Sequence, residues 1–507
     1  MKVAVIGSGV SGLAATWLLN EHSQHEVHLY EADSRLGGHA NTVDFTPPGS
    51  KTGESVPVDT GFIVMNPTTY PNFLRFLKTR PGVSILPTEM TFSVSRDRGL
   101  FEWAGKNLST IFCQITRLLD PQMWRLIYDV LRFNACSRRL IMDEQWHKPT
   151  PDGGKIGQTG LELSIGEYLD REGYSQSFRD NYLIPMTACI WSTPPDTCFA
   201  DFPARTLIQF FNNHHLLQIT GKPSWLTINR GSKQYVQSII SNLPKDRLHL
   251  SSAVTAVHSK NKGFWVVTAN EASDYDHVIF ACHSDTAHSI LKRSEGATEE
   301  ELNTLGSFKW SRNEVVLHSD ERLMPRNRIA WSCWNFLTSS VVQADGTKKA
   351  NGDVVSLTYG MNDLQSIPYN KYGAVLVTLN PPFEPEASKV AGRYKYDHPV
   401  LDAQAILLQS RMGRIQGMRG ISYAGAYLRY GFHEDGFTSG LRAAYYHIPD
   451  VHPPFEILDA DVRPRSAMLA GAVFDVLEGT GLREVIGGFL GAGVGVLRGL
   501  LGIEKFT

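Results

Sequence analysis

Two stretches of this 507-residue chain carry residues whose types and spacing could do chemistry. The first is KVAVIGSGVSGLAATWLL, residues 2–19, in which Gly7, Gly9 and Gly12 spell G-x-G-x-x-G around Val10 and Ser11. The second is YGFHEDGFTSG, residues 430–440, which sets His433, Glu434 and Asp435 in a row between Gly431 and Gly436. The first pattern is a phosphate cradle. Gly7 permits a tight turn after a buried strand, Gly9 lets the backbone approach a pyrophosphate, and Gly12 lets the next helix pack on the strand. The free amides and positive dipole end of that helix then face the phosphates. A second strand-like run, EVHLYE, ends in Glu31 just before Ala32, which is 31 − 12 = 19 residues after the last glycine. A carboxylate there accepts ribose hydroxyls and repels a 2′-phosphate. The second pattern reads as an acid–base cluster, a metal site or a turn. Three successive side chains do not converge on one ion without distant partners, so no metal is expected. His433 is its best proton-transfer group, with a structural hydrogen bond as the competing role.

The elements that must position these residues follow from length and pattern. A chain of 507 residues implies more than one core. Hydrophobic residues at 42% and charged residues at 20% describe an ordinary globular protein, and 49 Lys plus Arg against 51 Asp plus Glu give no electrostatic reason to expect a nucleic acid partner. Cysteines at 113, 136, 189, 198, 282 and 333 form no C-x-x-C pair, which fits a reducing, cytoplasmic setting. The first strand begins at Lys2, leaving no expected signal segment, and no run of ~20 uninterrupted apolar residues predicts a membrane span. The closest is VIGGFLGAGVGVLRGLLGI, residues 485–503, apolar apart from Arg498. Its glycines weaken it as a helix. It is expected to be a tail packed on the body, with a peripheral membrane contact as the alternative.

Residues 101–141 read helical, with Leu126, Ile127, Val130 and Leu131 as an apolar stripe and Arg125, Arg132, Arg138 and Arg139 nearby as a solvated or membrane-facing set. The adjacent pair His214 and His215 points apart on a helix and is not expected to bind metal. DHVIFAC predicts a strand returning to the first sheet, and NEVVLHS, VVSLTYGM and AVLVTLN predict strands of a second. The fold expected is α/β. A Rossmann-type nucleotide-binding domain, glutathione-reductase-like, is built from 1–75, 222–290 and 416–460. An α+β substrate domain of 76–221 and 291–415 is interleaved with it, followed by a C-terminal extension of 461–507.

EADSRLGGHANTV, with Arg35, Gly37, Gly38 and His39 just past Glu31, resembles the R-x-G-G segment of flavin enzymes of the amine oxidase and glutathione-reductase type. Further marks are VDTGFIVMN, IWSTP, FFNNHHLL, ACHSDTA, AWSCWN, LTYGMNDLQ, HPVLDAQA and YAGAYLRYGFHEDG. Over residues 1 to about 455 the chain resembles flavin-containing amine oxidoreductases. In detail it is similar to a branch of predicted NAD/FAD-binding oxidoreductases related to the N-terminal domain of plant cyclopropane fatty acid synthases. The resemblance implies non-covalent FAD. Arg35, Gly37 and Gly38 would lie at the pyrophosphate, Thr60, Gly61 and Phe62 of DTGF and Gly425 near the flavin, and the Val254 backbone at the adenine. His39 stands where most members carry Arg, and it would contact the cofactor or fill space. Glu434 or Asp435 would accept a ribityl hydroxyl or cap the following helix. Tyr430 and Phe432 would wall the substrate face.

The resemblance also implies hydride removal from an apolar, fatty-acyl or lipid-like substrate, by desaturation, oxidation or isomerisation. Amine oxidation, natural-product biosynthesis and a non-catalytic flavoprotein scaffold are the alternatives. Two departures weigh against amine oxidation. The AGE of amine oxidases is AGAY here, so Ala426 removes a carboxylate, and Lys309 in SFKWSRNEVV aligns poorly with the lysine that amine oxidases place near the flavin. Oligomeric state, electron acceptor and the identity of the substrate are left open by the sequence.

Overall fold

The run Val3–Ile6 is apolar on both faces, which suits a strand buried between two layers. It forms the middle of a five-stranded parallel sheet whose order is Ile421–Tyr423, His277–Phe280, Lys2–Ile6, Glu26–Tyr30, Leu248–His249. Register pairs Val3 with Val27 on one side and with His277 on the other. The sheet is thus assembled from three distant parts of the chain. The structure, a computed structural model, describes residues 1–50, 53–142, 163–192, 202–218, 224–342, 348–351, 355–460 and 468–501. The end of the IWSTP motif, Cys198 and the expected boundary at 221/222 lie outside these residues.

Two helices cover one face of that sheet, Val10–Glu21 and His433–His447. Gly436 and Gly440 lie one turn apart on the second. A methyl at Gly440 would stand 2.0 Å from the Ser11 carbonyl oxygen, and one at Gly436 would stand 2.6 Å from Val10 Cγ1. Glycine at both positions therefore lets the two helices touch nearly backbone to backbone. The contact brings both helix N-termini to the same end of the sheet.

The second sheet has seven strands, in the order Val390–Pro399, Trp310–His318, Leu376–Leu379, Ser356–Gly360, Trp334–Thr338, Phe92–Arg96, Phe101–Ala104. All its pairs are antiparallel except Trp334–Thr338 with Phe92–Arg96. Helices Pro121–Cys136, Ile184–Trp191 and Ala204–Asn213 pack below it, and the large aromatic and aliphatic core lies between these layers. This is the mixed α/β architecture expected, with a parallel nucleotide-type sheet beside an α+β body.

Two elements differ from the sequence reading. Residues 101–104 are a strand, not the start of a helix. FSVS and FEWA alternate at period two, and the intervening turn holds Arg98 and Gly99 at positive φ. The C-terminal segment forms a helix, Leu482–Leu501, in spite of its glycines. The preceding helix Met468–Gly479 packs on Pro121–Cys136, where Tyr128 OH donates to Glu478 Oε1 at 2.7 Å and Arg139 pairs with Asp475 at 2.8 Å.

Candidate active site

The nucleotide end is defined by backbone. Gly7 sits at φ +104°, where a side chain would be strained, and a methyl at Gly12 would stand 1.8 Å from the Gly7 carbonyl oxygen. A methyl on Gly9 would meet no protein atom within 4 Å, so the space in front of it is open where a pyrophosphate must approach. Ser8 donates from its amide and its hydroxyl to Glu31 Oε2, at 2.9 and 2.5 Å, and the Asp33 amide donates to Oε1 at 2.8 Å. These bonds fix the Glu31 carboxylate beside the glycine turn. A carboxylate can accept about four hydrogen bonds, so ribose hydroxyls can still be received. The Ser252 amide donates to the Glu31 carbonyl at 2.8 Å, which brings buried Val254 to the same corner next to Ala32. Gly37 and Gly38 both adopt positive φ, and a methyl at Gly38 would stand 3.1 Å from Gly9 Cα. Arg35 holds this turn by donating to the Gly38 carbonyl at 2.8 Å. An open glycine turn, a fixed carboxylate and two helix N-termini together fit a dinucleotide-type cofactor.

Beyond this corner the chain closes on itself. Thr60 Oγ1, Asn41 Nδ2 and Tyr396 OH form a buried triangle with sides of 2.7, 2.9 and 3.1 Å. Gly61 is required because a methyl there would stand 2.2 Å from the His39 carbonyl oxygen. Phe62 stacks on His433 with centroids 3.7 Å apart and planes 8° apart. The Tyr235 hydroxyl lies 3.0 Å from His433 Nε2. Burial pushes the His433 ring down to about 3, so it is neutral at physiological pH. His433 is therefore clamped by a ring stack and a hydrogen bond.

The carboxylates of the second motif serve helix ends, and the space they border is a smaller pocket of about 220 Å³ shared with Arg429, Thr438 and Arg442. Glu434 is buried and accepts from the Asn72 and Phe73 amides, both at 2.9 Å, capping helix Pro71–Lys78 from a distant part of the chain. Burial raises its carboxyl to about 8. Asp435 accepts from the Phe432 amide at 2.9 Å and caps its own helix. Asp435 thus caps the helix that follows it, as expected for one of the pair, whereas Glu434 caps a different helix. The Gly425 amide donates to Ser439 Oγ at 2.9 Å, tying the preceding strand end to the same helix.

A cavity of about 600 Å³ opens from the clamp into the second body. Its inner end is lined by His39, Thr60, Phe62, Tyr396, His398 and His433. Its flank is the stripe Met123, Leu126, Ile127, Val130, Leu131 and Asn134, spaced as one face of helix Pro121–Cys136. Phe92, Trp103, Trp334 and Tyr359 of the seven-stranded sheet form its roof. No Asp or Glu lines it among the described residues. Its inner histidines are kept neutral: burial and the neighbouring His398, His283 and His433 hold His39 far below its usual value, and burial takes His398 and His214 down to about 4.

The sequence profile of the flavin-containing amine oxidoreductase family matches residues 10–322. The chain belongs to that family. It is accordingly a flavin-dependent oxidoreductase, and the glycine turn, Glu31 and the R-x-G-G turn are the residues that would hold its FAD. No curated protein matches the sequence. Among solved structures, a fatty acid isomerase from P. acnes is similar with a TM-score of 0.59 at 13% identity, over 88% of this chain and 98% of that one. Cyclohexylamine oxidase from Brevibacterium oxydans is similar with a TM-score of 0.57 at 16% identity, with the same coverage. A putative protoporphyrinogen oxidase from Exiguobacterium gives a TM-score of 0.54 at 11% identity, again over 88% and 98% of the two chains. At these identities the likeness is one of fold.

Of the residues singled out as catalytic, the structure brings only His433 to the cavity of this flavoenzyme. Lys309 lies on the surface, 60% exposed at its side chain, and pairs with Asp402 at 2.8 Å. The Tyr430 ring packs edge-on against Phe210 at 5.6 Å, and its carbonyl accepts from Trp191 Nε1 at 3.0 Å. Phe432 does wall the cavity, stacked on Phe210. Sequence reasoning missed Tyr396 and His398. Their signal was available: Tyr394, Tyr396 and His398 alternate along one strand and so share a face. His214 lines the cavity, stacked at 3.9 Å on Phe210, and no metal-binding group of His, Cys, Asp or Glu occurs among the described residues.

Proposed function

We propose that this flavoenzyme removes hydride from a long apolar chain, in the class of fatty acyl or other lipid-like compounds, so as to desaturate, oxidise or isomerise it. The observation that carries the reading is the 600 Å³ cavity with an apolar helix stripe along one side and no lining carboxylate among the described residues. A protonated amine entering such a space would lose its hydration and find no counter-charge, which costs several kcal/mol. An alkyl chain would lose nothing polar and would gain about 0.8 kcal/mol per buried CH₂. The similar fatty acid isomerase supports the same direction by its name, while the similar cyclohexylamine oxidase shows that the fold alone does not choose.

When bound, FAD supplies the hydride acceptor. The chain's own residues orient and exclude. The first turn of helix His433–His447 presents its positive end toward the closed corner, where it favours negative charge without an ionisable donor. Phe62 and His433 hold that corner shut as a neutral stack, and the Thr60–Asn41–Tyr396 triangle pins the loop over it. Neutral His39 and His398 keep the inner end free of fixed cations, so an apolar carbon can lie there without a desolvated charge beside it. Asn313 Nδ2 lies 3.0 Å from His398 Nδ1 and orients that ring. The direct test is anaerobic addition of fatty acids and acyl esters of graded length to the purified yellow protein. Flavin bleaching that strengthens with chain length supports the reading. Bleaching by amines and by no acyl compound overturns it.

A further inference from the structure

The cavity has a mouth, and exposed apolar side chains stand at it. Leu108 and Leu131 both line the cavity and are exposed, by 69% and 39% of their surface. Around them stand exposed Ile115, Leu118 and Trp124. The two C-terminal helices pack against this same region, on helix Pro121–Cys136 and on segment Ile115–Leu119. Residues 485–497 of the last helix contain no polar side chain at all. There Phe489 is 78% exposed, and Val485 and Val496 are also exposed. Such a stretch has no water-facing side, yet no helix of the described residues is long and apolar enough to cross a membrane.

Charge is distributed in the same sense. Residues 105–142 carry six Lys or Arg and two Asp or Glu, and residues 468–501 carry two and three, so the two segments together sum to 8 − 5 = +3. The whole chain is −2, which leaves −5 for the remainder. These two segments of an otherwise acidic chain are thus net basic, and they carry the exposed apolar side chains beside the opening of the cavity.

We propose that this face docks on the surface of an anionic lipid bilayer. Helix Leu482–Leu501 lies in the headgroup boundary and the Leu108–Leu131 mouth opens into the acyl region, so that the substrate enters from the membrane. The proposal rests on the lipid-like reading of the cavity for its purpose but not for its test. A helical stretch without polar side chains, such as 485–497, lowers its free energy by entering the boundary, and net positive segments are drawn to anionic headgroups. Membrane entry also explains why the mouth is ringed by large apolar side chains, which a water-fed entrance would not need.

The test is co-sedimentation of the flavin-loaded full chain with vesicles of phosphatidylcholine alone and with phosphatidylglycerol added. Wild type is expected to sediment with the mixed vesicles, more weakly with the neutral ones, and less in high salt. The double variant Phe489→Asp, Val496→Asp is expected to lose at least tenfold in vesicle affinity, with flavin content and melting temperature unchanged because both side chains face outward. A wild type that stays in the supernatant with both vesicle types overturns the proposal. So does a chain that self-associates without lipid and is made monomeric by the double variant, which would assign the face to a second copy. Docking without bleaching by any acyl compound leaves this proposal standing and removes the substrate reading. Bleaching without docking does the reverse.

Discussion

The two ends of the site are built on opposite plans. The nucleotide end is a polar, closely fitted corner in which positions are set by where a methyl cannot go: at Gly7, Gly12 and Gly61 an added carbon meets backbone atoms at 1.8 to 2.9 Å. The cavity end is a 600 Å³ space walled mostly by side chains from several elements, set by what fills it and not by what is forbidden. Backbone-defined sites tolerate almost no change at such positions. Side-chain-defined sites tolerate much change and can be re-specified. That is consistent with one fold serving the amine oxidases and the fatty acid isomerase to which this chain is similar.

The comparison is broken most severely at Gly12. Gly12→Ala puts a methyl 1.8 Å from the Gly7 carbonyl oxygen, so the first helix must leave the sheet, and little folded yellow protein is expected. Gly9→Ala is the sharper variant, because its methyl meets no protein atom within 4 Å. The apoprotein is expected to fold with an unchanged melting temperature while FAD binds about ten- to a hundredfold more weakly, roughly 1.4 to 2.8 kcal/mol. Fluorescence titration of the apoprotein with FAD checks this. Wild-type affinity in Gly9→Ala would mean that the pyrophosphate does not approach there.

At the other end, Val130→Trp fills the cavity halfway along the helix stripe. The void is already present, so the overpacking that costs about 1–3 kcal/mol in a dense core is largely avoided. Flavin content is expected to stay at the wild-type level, while bleaching by the longest effective acyl chain slows more than tenfold and bleaching by short chains slows less. Equal slowing for all lengths would place the substrate elsewhere.

This contrast also explains what could be read in the sequence. The glycine turn, Glu31 and R-x-G-G were legible because they act through local backbone geometry, which spacing encodes. The strand His277–Phe280 was legible because continuous apolar runs mark parallel strands. The role of Glu434 was hidden: it caps a helix more than 350 residues earlier in the chain, a bond no local pattern announces. Tyr396 and His398 matter because their strand edge comes back over His39, and only the closed fold brings them there. Residues 485–503 were read as weakened as a helix by their glycines, but propensity is a small term, and the neighbouring helix and segment give helix Leu482–Leu501 a surface to lie on.

Glu434 sits at the seam between the two ends and offers a smaller effect with a defined sign. Its carboxyl is at about 8 in the folded protein against 4.5 for an unperturbed glutamate. Between those values the folded state holds more protons than the unfolded chain, so this group's contribution to stability is full below about 4.5 and is lost as pH rises through about 8. Glu434→Gln removes that slope. It also leaves one of the two capped amides facing an NH₂ group, a loss of about 1 kcal/mol. Melting temperatures from pH 5 to 8.5 should fall for wild type relative to the variant, and parallel curves would show that Glu434 is ionised when folded.

The smallest effect is expected at Lys309, and it separates this chain from the amine oxidases it resembles. Its ammonium pairs with Asp402 on the surface, and Asp402 also caps helix Ala403–Arg411 through the Ala405 amide at 2.8 Å. An exposed pair of this kind contributes about 0–1 kcal/mol. Lys309→Ala should therefore leave flavin content, bleaching rate and its pH profile unchanged, with at most a slight fall in melting temperature. The strand that follows Lys309 instead sends Asn313 to His398, so a neutral imidazole on a neighbouring strand stands at the inner end of the cavity. A tenfold slower bleaching in Lys309→Ala would require the lysine to leave Asp402 and enter the cavity. The charge-free inner wall, on which the apolar-substrate reading rests, would then be lost.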